Sequence, residues 1–169
     1  MDDLSREIAH APSDSAFIGD VCWQAYLSNF VGREKKRLRF ILNEISEVKV
    51  ASLNYPPQSG MASQEPLSIQ YASPHEFGPF SSHYSDMIHR KQEIQIYYQG
   101  GSIRIPVIPV EYFIAQKLCE GGGEWEVGYL LKIGGDKIKH EQVRCLLKTV
   151  GRQNAFETYQ ELLYSLCSE

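Results

Sequence analysis

Between Gln92 and Ile108 the chain reads QEIQIYYQGGSIRIPVI, with apolar and polar residues alternating on both sides of Gly100-Gly101. A period of two belongs to half-buried strands, and a glycine pair between two such runs supplies the tight turn of a β-hairpin. Beyond it the period changes. Val110 to Leu118, Trp125 to Ile133, Ile138 to Val150 and Ala155 to Leu166 all fit helical spacing. Val143, Leu146, Leu147 and Val150 make one apolar face; Phe156, Tyr159, Leu163 and Leu166 make another. Strands followed by a run of helices predict an α+β fold, a small mixed sheet with flanking helices and a C-terminal helical bundle. The expected organisation is one domain over residues 1–169, with a sheet-containing core at about 16–108 and a helical tail at about 109–168.

Upstream of the hairpin the pattern is more mixed. From Phe17 to Phe30, Val21, Ala25 and Leu27 recur at near-helical spacing around Trp23 and Tyr26, which predicts a helix ended by Gly32. LRFILNEI reads as a strand, with SEVKVASL as a hairpin partner, and NYPPQSGMASQEP as a turn-rich loop. PLSIQYA is a further short strand. In SPHEF, Ser73 is placed to cap a helical turn, with Pro74 in the first turn and Glu76 three residues on.

The chain has 169 residues, of which 43% are hydrophobic and 22% charged, enough for a sizeable core. Its formal net charge of -4 argues against a surface coated with nucleic acid, so any anion site must be local. Cys22, Cys119, Cys145 and Cys167 lie far apart, with no C-x-x-C pair and no histidine spaced to complete a zinc site. They read as free thiols of a reducing compartment. The N-terminus is polar and acidic, and the apolar stretch IPVIPVEYFIA is broken by two prolines and Glu111. The expectation is a cytoplasmic protein with no membrane partner.

Familiar catalytic signatures are missing: there is no G-x-S-x-G, P-loop, G-x-G-x-x-G or H-E-x-x-H. Ser46 and Lys49 match S-x-x-K without its partner motifs, a chance match. His83, Asp86 and His89 fall at i, i+3, i+6, so Asp86 reaches either histidine on a helix while the histidines diverge; a solvated polar face explains them better than a metal site. Gly121-Gly122-Gly123 before Glu124 reads as a flexible loop, with a phosphate cradle as the sharper alternative.

One stretch asks for more. In GREKKRLRFIL, Arg33, Lys35, Arg37 and Arg39 fall at alternate positions, so a strand here carries four cations on one face. Taken alone, a solvated edge that discourages sheet pairing explains this best.

FIGDVCWQAYLSNFVGREKKRLRFIL resembles the opening of the nucleotidyltransferase-like superfamily, in particular its minimal nucleotidyltransferases and related abortive-infection toxins. Those open with an apolar residue and a glycine pair, then a helix, then R-x-T-x-D-h-D (h apolar) running into an apolar strand. Ile18-Gly19-Asp20 holds the glycine-pair place, Arg33 the arginine, Lys35 the threonine, and Arg37-Leu38-Arg39 the D-h-D. GGSIRIPVIPVEYFIAQKL resembles the late strand and the Pro-Glu helix start of that family, and WEVGYLLKIGGDKIKHEQVRCLLKTVG its helical tail. The likeness covers most of Phe17 to Leu166, with the middle loop poorly matched.

The resemblance implies a site whose strand carboxylates would hold a divalent metal. Both positions are arginine here, and Ser68 and Gln70 stand where the third carboxylate is expected. At about 4 Å and an effective dielectric of about 20, one cation repels a divalent ion by about 8 kcal/mol, so no metal cofactor is expected. The implied protein is a pseudoenzyme related to toxin–antitoxin systems. Its Gly19, Asp20, Arg33, Arg37, Arg39 and Lys117 would contact a nucleotide, RNA or a protein partner, the arginines meeting phosphate oxygens directly; Lys117 reads equally well as a snorkelling lysine. Two alternatives stand beside it. One is an active magnesium-dependent nucleotidyltransferase with carboxylates relocated to Glu124, Glu126 or Asp20. The other is an antitoxin-like or scaffold protein whose helical tail contacts a protein partner.

Overall fold

A computed structural model of the chain describes residues 11–31, 48–55, 69–98 and 101–168. The fold is α+β, with six α-helices and a five-stranded mixed sheet among these residues. The chain divides between Ile108 and Pro109 into two compact units.

The first unit holds the sheet. Its elements are β1 (Ser15–Ile18), α1 (Gly19–Val31), β2 (Val48–Ser52), β3 (Ile69–Tyr71), a 3-10 segment (Pro74–His83), α2 (Tyr84–His89), β4 (Gln92–Tyr98) and β5 (Gly101–Val107). The strand order is β3-β2-β1-β5-β4. β1 runs antiparallel to β2 and parallel to β5; β3 is parallel to β2, and β4 antiparallel to β5. The β4–β5 hairpin turns where the alternating pattern places it, with Ile94 opposite Ile105 and Ile96 opposite Ile103. Ile94, Ile96 and Ile105 are buried, whereas Glu93, Gln95, Ser102 and Arg104 are exposed on the other face.

The centre of the sheet behaves differently. Phe17 and Val50 share one face, Ala16 and Ala51 the other, and all four are buried. Helix α1 packs against β1, β2, β4 and β5, while α2 packs against β1 and β2. The Tyr26 hydroxyl donates to the Ile108 carbonyl at 2.8 Å, fastening α1 to the chain just beyond β5. The Tyr84 hydroxyl accepts from Ser52 N–H at 2.8 Å and donates to the Ala72 carbonyl at 2.9 Å, so one buried side chain closes two backbone groups at the end of β2 and just after β3. Burial raises the Tyr84 pKa.

Several expectations are corrected here. Phe17 and Ile18 belong to β1, and the helix opens only at Gly19, because Phe17 pairs with Val50 on one side and Val107 on the other. SEVKVASL is not in a hairpin with LRFILNEI at Lys49 and Val50: both edges of β2 are taken there, by β1 and by β3. LRFILNEI lies outside the described residues, as does Gly32. In NYPPQSGMASQEP only Asn54 and Tyr55 are described; Asn54 lies in the turn after β2 and Tyr55 follows it. PLSIQYA contributes three strand residues. Ser73 donates its N–H to Glu76 Oε2 at 2.6 Å with Pro74 in the first turn, as expected, but the turn it opens is 3-10.

The second unit is helical: α3 (Val110–Glu120), α4 (Glu124–Gly134), a 3-10 turn (Gly135–Lys137), α5 (His140–Thr149) and α6 (Gln153–Cys167). Helix α5 starts two residues later than its apolar pattern suggests, because Ile138 is extended, with φ -102° and ψ 127°. Val143, Leu146 and Leu147 bury their face, and Val150 is half-buried at the C-cap. On α6, Ala155 and Tyr159 are buried, with Phe156, Leu163 and Leu166 half-buried. No helix of the described residues is long and apolar enough to cross a membrane.

Candidate functional site

β1 ends at Ile18, and Gly19, which follows, has a φ of +59° in the left-handed region that a side chain disfavours. That glycine lets the strand stop and α1 begin within one residue. No atom lies within 4 Å of where its Cβ would be, so backbone conformation, not crowding, selects glycine. Asp20 follows in the first turn of α1 and is exposed, where a carboxylate complements the positive end of the helix dipole.

Pairing across the sheet sets two further side chains at this level. Ile18 is opposite Lys49 on β2, and Lys49 is beside Gln70 on β3. Gln70 is exposed. The Lys49 ammonium lies 3.9 Å from Glu76 Oε1, a half-exposed ion pair worth about 0–1 kcal/mol. Lys49 is the cation that sequence reasoning passed over, having met it only in a chance S-x-x-K; its place becomes visible once the register of β2 against β1 is known. Arg33, Arg37, Arg39 and Ser68 lie outside the described residues.

Lys117 belongs to the second unit. It is half-buried in the last turn of α3, its ammonium 5.8 Å from the centre of the Phe113 ring. Gly121 and Gly122 take φ of +81° and +76°. A Cβ on Gly123 would lie 3.1 Å from both Lys117 Cβ and the Lys117 carbonyl oxygen. The three glycines thus have backbone duties in a tight turn from α3 to α4, a different account from that of a flexible loop. Glu124 and Glu126 occupy the first turn of α4. Two apart on a helix, their side chains leave about 200° from one another. They are therefore no substitute for carboxylates at alternate positions of a strand, which share a face.

His83, Asp86 and His89 do not converge either. His83 ends the 3-10 segment with its ring edge-on to Phe80, Asp86 accepts from Arg90 Nε at 3.0 Å, and His89 Nδ1 lies 2.8 Å from the Ser85 carbonyl oxygen. Among the described residues no group of three or more histidine, cysteine or carboxylate side chains is placed to hold a metal ion. Cys119, Cys145 and Cys167 are free thiols, and the buried Cys22 thiol lies 3.9 Å from the Ile108 carbonyl oxygen. On α5 and α6 a shallow groove is lined in part by Arg144, but that guanidinium is engaged by Glu141 and, at 3.0 Å through Nε, by Gln160.

A polar cluster in the second unit went unread in the sequence. Glu111 is only 3% exposed, and its Oε1 accepts from Lys139 N–H at 3.0 Å at the start of α5. Beside it in the chain, His140 Nδ1 lies 2.7 Å from the hydroxyl of fully buried Tyr159. Burial, with smaller contributions from Glu111 and Glu141, raises the Tyr159 pKa well above the ordinary phenol value against the opposing pull of Arg144. The phenol is thus held neutral. Together these contacts fasten α3 to α5 and α5 to α6. The signal was there: a lone carboxylate inside IPVIPVEYFIA has to find a partner if that stretch is buried.

Comparison of the chain with models of known protein families, with curated proteins and with solved structures finds no match.

Proposed function

We propose that this is a nucleotidyltransferase-like protein whose metal-dependent site has degenerated and which binds a phosphate-bearing ligand, a nucleotide or RNA. The observation that carries this reading is one of order: a strand closed by positive-φ Gly19, a helix opening at once from it, and then the alternating cations Arg33, Lys35, Arg37 and Arg39. Arginine forks match phosphate oxygens in pairs and supply without a metal the charge that a metal would bring. Lys49, level with Ile18 across the sheet, adds a cation beside the Gly19 turn. The active-enzyme alternative loses the support of Glu124 and Glu126, whose side chains diverge on α4.

Salt and mutation test the reading together. For a single-stranded ligand, affinity is expected to fall by about 0.7 log units per log unit of salt for each phosphate neutralised. The Arg37→Ala/Arg39→Ala double variant is expected to bind weakly and to show a shallower salt slope. Unchanged affinity and slope would remove the arginines from the site.

A further inference from the structure

We draw no further inference here: the strongest candidate, the shallow groove on α5 and α6 that exposed Tyr164 borders, has its cation Arg144 already engaged by Glu141 and Gln160, and nothing in the structure shows what covers it.

Discussion

The β4–β5 hairpin and the β1–β2 pair belong to one sheet yet bury their side chains by different rules. In the hairpin only one face is covered, so Ile94, Ile96 and Ile105 alternate with exposed Glu93, Gln95, Ser102 and Arg104. In β1 and β2 both faces are covered, so Ala16, Phe17, Val50 and Ala51 are all buried and no alternation survives. A strand buried on one side writes its period into the sequence; one buried on both sides writes only a short apolar run, which a helix pattern can absorb.

The largest effect that separates the two regions is expected at Phe17, fully buried between β2 and β5. Phe17→Ala should cost about 3–5 kcal/mol, read from denaturant unfolding. A loss below about 1 kcal/mol would mean that the centre is not packed on that face.

Next comes Tyr84, whose hydroxyl serves Ser52 and Ala72. Tyr84→Phe leaves a buried donor and acceptor unpaired and should cost about 1–3 kcal/mol. It also carries a pH signature. Burial raises the Tyr84 pKa, so the folded state keeps its phenol proton where the unfolded chain, titrating near about 10, has released it. The stabilisation is complete below the unfolded pKa and is lost as pH rises through the folded one. Wild type should therefore lose stability above pH about 10 more steeply than Tyr84→Phe; equal slopes would contradict the burial. Tyr159, raised for the same reason, contributes a parallel slope to both proteins.

The smallest effect belongs to the open face of the hairpin. Gln95→Ala and Arg104→Ala, on exposed neighbouring positions, should each fall within about 0.5 kcal/mol of wild type. A larger loss would show that something covers that face.

The same contrast explains what could be read in advance. The hairpin, the amphipathic face of α5 and the Ser73–Glu76 turn announced themselves through period two, period 3.6 and local hydrogen-bonding chemistry. β1 did not, because three buried apolar residues run straight into a helix and Gly19 alone marks the break. The pairing of β2 with β1 and β3 escaped because it is set by partners distant in the chain, and nearness in sequence favoured LRFILNEI instead. Glu111 was visible as an odd carboxylate, but its partner, the Lys139 N–H, lies 28 residues away. Of the candidate site, Gly19 stood out only through the family resemblance; its strand-to-helix turn was hidden because the apolar residues Ala16 to Ile18 blend into the helical pattern that follows. The duties of Gly121 to Gly123 were hidden too, since a flexible loop and a tight turn draw on the same residue. Lys49 needed strand register before it could be placed beside Gly19.

The arginine face carries the functional reading, and calorimetric titration with each nucleoside triphosphate, in magnesium and again in chelator, tests it most directly. Binding that persists unchanged in chelator and is lost in Arg37→Ala/Arg39→Ala is the predicted result. Binding that requires magnesium would contradict it and restore a metal-dependent enzyme.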